Sequence, residues 1–228
     1  MIVLPKNYKQ IYPCVNECGF TSKIYANLEY TEAYKIYKDK FNYKEDKFNA
    51  IKSFENEHFL TPQDIIFIED EKDSVGYQMK FDNSISIPKL LDADLNKLIS
   101  AALILPLDIA DLSSNKFLIT DPNPDNIIFG DNYKFVDTYS FLQATKFSVE
   151  LIKQKNTTKA NTSIIMGLFG FYYLENIIKY FKNNNPKYLD KFLKLQSSDS
   201  NFIYDILSLI QEATQQNSLQ KTKKILLQ

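Results

Sequence analysis

The chain has 228 residues, 44% of them hydrophobic and 14% aromatic, enough to bury the core of one large domain or two small lobes without disulfide staples. Its 27 Lys and Arg against 28 Asp and Glu leave a formal net charge of −1, so no overall field favours nucleic acid or an anionic membrane surface. Cys14 and Cys18 are the only cysteines and have no further Cys or His beside them, which argues against a disulfide framework or a zinc site and for ordinary thiols in a reducing compartment.

The first ten residues lack the continuous apolar core of a signal peptide. The longest apolar tract, 164–174, holds Gly167 and Gly170 and is too short to span a bilayer. A cytoplasmic or otherwise intracellular protein is expected, with export by a specialised secretion machinery left open.

Residues 10–39 read as strands and turns. Within YTEAYKIY (30–37), Lys35 falls in an apolar run, where an ammonium group is costly unless it is paired or bound to an anion. Glu32, Lys35 and Lys38 on a solvated face are the alternative. Residues 45–60 show helical spacing at Phe48, Ile51 and Phe54, closed by Pro62, with Glu55 and Glu57 near the end. His58, the one histidine, has no visible ligand partners and is read as structural.

Residues 65–69 and 75–81 read as two strands joined by the charged turn 70–73, and 82–88 as a link. The stretch 87–112 is expected to be helical, with Leu91, Leu95, Leu98, Ile99, Ala102 and Leu103 on one face and a kink or break at Pro106. After the loop region described next, 140–163 is expected to be partly helical, with Thr157-Thr158-Lys159 as a polar interruption. Helices are predicted over 164–181, 188–195 and 202–213, and the tail 215–228 is expected to fray.

The most informative stretch is 117–141, FLITDPNPDNIIFGDNYKFVDTYSF. Short apolar runs flank a loop carrying Asp121, Asn123, Asp125 and Asn126, and a third run ends in Asp137, so carboxylates and an amide gather at one edge of a hairpin. Asp121-x-Asn123-x-Asp125 also opens like a calcium loop. Asn126 stands there where glycine is wanted, Asn132 where a bidentate Glu is needed, and Pro122 and Pro124 stiffen the turn. A plain polar turn, in which Asp and Asn bond their own backbone, is the remaining alternative.

Asp121, Asn126 five residues on, and a following strand that ends in Asp137 resemble the catalytic signature of the protein-kinase-like superfamily. That resemblance covers residues 17–141. It implies an α+β, two-lobed protein-kinase-like fold: an N-terminal lobe over 1–82, with a small antiparallel sheet and one helix, and a shortened, mostly helical C-terminal lobe over 83–228 with its catalytic loop at 119–141. It further implies ATP and Mg²⁺. Asp121 would position the acceptor hydroxyl, Asn126 and Asp137 would hold the metal, and Lys35 would contact the phosphates in the Ala-x-Lys pattern Ala33-Tyr34-Lys35. Glu55, or else Glu57, would hold Lys35 from the helix. Gly19 would stand in the phosphate loop with Ile24 leaving it, and Met79 to Phe81 would form the hinge that recognises adenine.

The chain departs from the family in several places. Ile119-Thr120 replaces the His-Arg before the catalytic Asp, Thr138-Tyr139 replaces Phe-Gly after Asp137, a single glycine remains in the phosphate loop, and no Ala-Pro-Glu follows. Control by a phosphorylated activation segment is therefore not expected. Two functions follow: an ATP-dependent phosphotransferase acting on a hydroxyl, expected on a protein, or a pseudokinase that binds nucleotide or a protein partner without transfer. Neither involves nucleic acid or a membrane span.

Overall fold

A computed structural model describes residues 1–16 and 21–226. The protein is an α+β molecule with a mixed sheet and several helices. It divides into two compact units, one of residues 1–83 with Asp137–Tyr139, the other of 84–136 and 140–228.

Unit 1 contains β1 (Ile2–Leu4), α1 (Tyr8–Ile11), β2 (Cys14–Asn16), β3 (Ser22–Ala26), β4 (Glu32–Tyr37), α2 (Glu45–Lys52), β5 (Asp64–Ile68) and β6 (Gly76–Lys80). The sheet order is β1-β5-β6-β4-β3-β2; β1 runs parallel to β5 and the other pairs are antiparallel. One face buries Leu4, Tyr8, Tyr25, Tyr34, Ile36 and Ile66 in a single cluster. Because side chains alternate along a strand, Ile24, Lys35 and Tyr77 project to the other face, aligned across β3, β4 and β6 by the pairs Ile24↔Lys35 and Lys35↔Tyr77.

That alignment depends on Gly76. A Cβ at this position would lie 1.9 Å from the backbone oxygen of Lys35, so only glycine lets β6 lie this close to β4. Lys35 itself is 5% exposed, which removes it from any solvated face.

Helix α2 ends at Lys52 rather than continuing to residue 60. The Asn56 side chain accepts from the His58 backbone N–H at 2.9 Å, and Phe59 N–H donates to the Asn56 carbonyl at 3.0 Å. This local turn competes with the helix for the same backbone groups, and Phe54 and Phe59 close it edge to face at 5.3 Å. Cys14 is a free thiol; Gly19 and Cys18 lie outside the described residues.

Unit 2 contains β7 (Ile85–Ser86), α3 (Leu95–Ala102), α4 (Leu105–Ser114), β8 (Phe117–Leu118), β9 (Ile127–Phe129), β10 (Tyr133–Phe135), β11 (Leu142–Gln143), α5 (Val149–Phe169), α6 (Tyr173–Asn184), α7 (Pro186–Phe192), α8 (Phe202–Thr214) and α9 (Leu219–Leu226). Its strands form the sheets β10-β9-β7 and β11-β8. The single helix expected over 87–112 is instead a short 3-10 turn and two helices. Pro106 occupies the first turn of α4, where its missing N–H costs nothing, so it starts a helix rather than kinking one. Leu91 and Leu103, expected on the apolar face, are 82% and 56% exposed because they fall outside α3.

Thr157-Thr158-Lys159 lies within α5, a continuous helix of 21 residues. The break comes at Gly170, whose φ of 83° ends α5 before α6 begins. Within the tail, Leu219–Leu226 form α9. α9 buries Leu219, Thr222 and Leu226, spaced to share one face, and Asp92 accepts from Ser218 Oγ at 2.8 Å and Gln220 N at 3.1 Å at its start. Among the described residues, no helix is long and apolar enough to cross a membrane.

Candidate functional site

The chemistry-bearing side chains fall into two sets, one in each unit. In unit 1, Lys35 Nζ forms an ion pair with Asp137 Oδ1, although the two residues are 102 positions apart. The pair is well covered, with side-chain exposures of 7% for Lys35 and 23% for Asp137. Asp137 has a φ of 59°, a left-handed conformation that Asp tolerates better than most residues.

Aromatic rings surround this pair. Lys35 Nζ lies 5.5 Å from the centre of the Tyr37 ring and 5.8 Å from that of Tyr77, within cation–π range. Tyr77 OH donates to Asp137 Oδ1 at 3.4 Å. The Tyr139 ring packs on Tyr77 at 5.8 Å and on Phe41 at 5.2 Å, and its hydroxyl accepts from Lys44 N at 2.9 Å. Burial and the nearby Asp137 charge push the Tyr77 hydroxyl well above the usual phenol range, and the same two causes raise Tyr37. These phenols therefore remain neutral hydrogen-bonding groups at physiological pH. Among the described residues, both side-chain hydrogen bonds to Asp137 use Oδ1, which leaves Oδ2 open to a further ligand.

The expected pairing of Lys35 with Glu55 does not form. Glu55 lies beyond the end of α2 and is exposed, and Asp137 takes its place as the partner of Lys35. Glu57 is no substitute: its side chain is 87% exposed and its carboxylate lies 3.9 Å from His58. Ile24 is directly opposite Lys35 and half-buried. Met79 sits in the β4–β6 ladder opposite Ala33. Phe81 follows the strand, its N–H already donating to the Thr31 carbonyl at 3.0 Å and its ring packed on Tyr30 at 5.4 Å. That amide is consumed within the β3–β4 turn, so it is not free to recognise a base as the hinge expectation required.

In unit 2, Asp121 and Asn126 meet. Asn126 Nδ2 donates to Asp121 Oδ2 at 3.0 Å, and Asn123 N donates to Asp121 Oδ1 at 3.2 Å. Asn123 Oδ1 in turn accepts from Asp125 N at 3.0 Å, capping the 3-10 turn Pro124–Asn126. The amide orientation leaves Asn126 Oδ1 as an acceptor. The backbone carbonyl of Asn126 accepts from Val136 N at 2.9 Å, and Asp137 is the next residue in the chain.

The loop is exposed, yet its backbone is held from below by α5. Asn156, fully buried, donates to the Phe117 carbonyl at 2.8 Å and to Ser113 Oγ at 3.1 Å, and accepts from Ile119 N at 2.8 Å. Lys159 Nζ donates to the Ile119 carbonyl, and Ser163 Oγ lies within hydrogen-bond reach of the carbonyls of Pro122 and Lys159. At Gly167 a Cβ would meet Ile87 at 2.7 Å and Pro124 at 3.1 Å, so the glycine admits the loop to the helix. Residues 156, 159, 163 and 167 follow a spacing of three, four and four, one face of a helix. Burial, then the neighbouring Lys155, lowers the Lys159 ammonium below the usual lysine range.

Sequence reasoning missed the Tyr37, Tyr77 and Tyr139 wall and the polar stripe of α5. The position of Tyr37, two residues from Lys35 on one strand, was a usable signal for the first. For the second, polar residues at helical spacing within an otherwise apolar segment could have been recognised. Among the described residues, no three His, Cys, Asp or Glu side chains converge to hold a metal. A hollow of about 390 Å³ lined by Lys6, Tyr8, Lys9, Ile68, Glu69, Asp70 and Glu71 contains none of the candidate residues, and Lys6 and Asp70 in its wall already pair at 2.7 Å. No protein-family model matches the chain, and a search of the curated proteins finds no similar sequence.

Proposed function

We propose that the protein is a compact, two-lobed member of the protein-kinase-like superfamily that transfers the γ-phosphoryl group of ATP to a hydroxyl, on a protein substrate. The observation that carries this is the ion pair between Lys35 and Asp137. Two residues chosen for phosphate and metal binding, and far apart in the chain, are each other's partner in a covered site. A buried ammonium and carboxylate persist only when paired or bound. The succession of a Lys-bearing strand, a helix, two strands, helices, the Asp121–Asn126 loop and a strand running into Asp137 also supports the resemblance.

By the resemblance, Lys35 would contact the triphosphate, Asn126 and Asp137 would hold Mg²⁺, and Asp121 would serve the acceptor hydroxyl. These are hard oxygen donors, suited to a cation that keeps most of its remaining ligands as water and phosphate. When bound, Mg²⁺ neutralises charge developing on the phosphates. Asp121, oriented by Asn126 and Asn123 N, accepts a hydrogen bond from the acceptor hydroxyl and then its proton. The Asn156, Lys159 and Ser163 bonds keep the backbone on either side of Asp121 in register with this task.

One observation favours the alternative of a nucleotide-binding module without transfer: no carboxylate from α2 meets Lys35, so Lys35 relies on Asp137 for its counter-charge. Incubation with labelled ATP and Mg²⁺ separates the two. For an enzyme, Asp121→Ala and Asp137→Ala each reduce label transfer about 100-fold or more, the scale of losing a positioned base or a charge-stabilising group. Nucleotide binding without transfer in the wild type establishes the module. Transfer unaffected by both substitutions rules out this site.

A further inference from the structure

We propose that Lys47 of α2 is a second phosphate-contacting lysine, so that the Asp137 carboxylate is flanked by ammonium groups from β4 and α2 and the site accepts a polyphosphate. The inference rests on the nucleotide reading above and extends it to a residue that the kinase resemblance does not supply.

Lys47 Nζ lies 4.8 Å from the centre of the Tyr139 ring. Tyr139 packs on Tyr77, and Tyr77 donates to Asp137, so the Lys47 ammonium is linked to the Lys35–Asp137 pair through two touching rings. Lys47 is half-buried and forms no ion pair among the described residues. Burial, followed by the neighbouring Lys44, lowers its ammonium below the usual lysine range, and the Asp137 charge acts in the opposite direction.

Lys35 and Lys47 thus both lie against the aromatic wall around Asp137, but only Lys35 pairs with it, which leaves one positive charge unmatched in a partly dehydrated setting. A carboxylate on α2 would have neutralised Lys35 directly. In this protein α2 brings a second cation instead, and the group that would balance it is an anion carrying several charges. Lys47 rests its ammonium on the face of Tyr139, part of the aromatic wall beside Asp137, and without a carboxylate partner there it keeps its N–H donors for an oxyanion.

The test is calorimetric titration of the full chain with inorganic tripolyphosphate, which carries the charge of the ligand without its base or sugar. Lys47→Met is expected to weaken binding about tenfold, as for one charge-assisted bond, while Lys47→Arg restores most of it. Lys52→Met, on the same helix, leaves binding unchanged. The methionine stem keeps the packing on Tyr139, and near-ultraviolet circular dichroism checks that it does; if it does not, the Lys47→Arg and Lys47→Gln comparison replaces it. Wild-type affinity in Lys47→Met, an equal loss in Lys52→Met, or no tripolyphosphate binding by the wild type overturns the inference. If Lys47→Met weakens tripolyphosphate binding while the wild type transfers no phosphate, the lysine pair stands and the kinase reading fails. If the wild type transfers phosphate and Lys47→Met binds tripolyphosphate unchanged, the kinase reading stands and the lysine pair fails.

Discussion

Lys35–Asp137 and Asp121–Asn126 are both pairs of polar side chains, but they are stabilised in opposite ways. In the first the charges themselves are covered, walled by Tyr37 and Tyr77. In the second the side chains face solvent and the backbone beneath them is pinned by buried groups of α5. A covered pair couples chemistry to folding, because removing either member leaves an uncompensated charge. An exposed pair on a braced backbone separates the two, because its members can be removed without disturbing what holds the loop.

The largest expected effect breaks the covered pair. Asp137→Ala leaves Lys35 buried without its counter-charge and should cost about 3 kcal/mol of stability, the low end for a broken buried pair because Asp137 retains some exposure. Urea unfolding would detect this as a lower midpoint with an unchanged slope. Lys35→Met strands the Asp137 carboxylate instead, but Asp137 is 23% exposed against 7% for Lys35, so water offsets more of the loss and the cost should be smaller than for Asp137→Ala. A larger loss for Lys35→Met than for Asp137→Ala would mean that Asp137, not Lys35, is the charge the site must neutralise.

Next is the brace. Asn156→Leu strands the Ile119 N–H and the Phe117 carbonyl in the interior, at about 2 to 3 kcal/mol. Hydrogen exchange at Ile119 should rise more than at residues of β6, because the lost bonds belong to unit 2.

The aromatic wall makes a smaller, pH-dependent contribution. Tyr77 keeps its proton in the folded state at pH values where an unfolded tyrosine, near 10, has lost it. The unfolded state therefore binds fewer protons above pH 10. The stability from Tyr77 is fully present below that pH and falls by about 1.4 kcal/mol per pH unit above it. Tyr77→Phe should remove one proton's worth of that slope between about pH 10 and 11.5, as measured by denaturant midpoints. An unchanged slope would mean that Tyr77 is not sealed in the folded protein.

The smallest effect on stability is expected at Asp121. Asp121→Ala removes hydrogen bonds at the surface, so its cost should stay within about 0.5 kcal/mol. If the protein is the phosphotransferase proposed above, transfer should nevertheless fall as far as in Asp137→Ala. Equal loss of transfer with unequal loss of stability is the sharpest form of the contrast between the two pairs.

Much of the site is legible in the amino-acid order. Lys35 stands out because an ammonium in an apolar strand needs an anion, and Asp121, Asn126 and Asp137 because their spacing and flanking strands match a known signature. Glu55 misleads because helical spacing continues through Phe54 while the turn at Asn56 has already taken the backbone groups that a longer helix would need. Helix α5 is obscured for a related reason. Its polar residues are buried, not solvated, so an amphipathic pattern that assumes polar means outside reads them as an interruption. The tail is expected to fray, yet α9's packing face, the hydrogen bonds that Asp92 accepts and the one that Leu219 N donates to the Ala93 carbonyl hold it.

By itself the amino-acid order determined where strands and turns recur, that a core could form, and which carboxylates, amide and lysine were available for chemistry, since local spacing and the cost of an unpaired charge are written residue by residue. What Lys35 pairs with, where α2 stops and what holds the loop were decided by tertiary structure. Each depends on a partner outside the local segment, and the gain from burying or bonding that partner outweighs local preference only once the chain has folded.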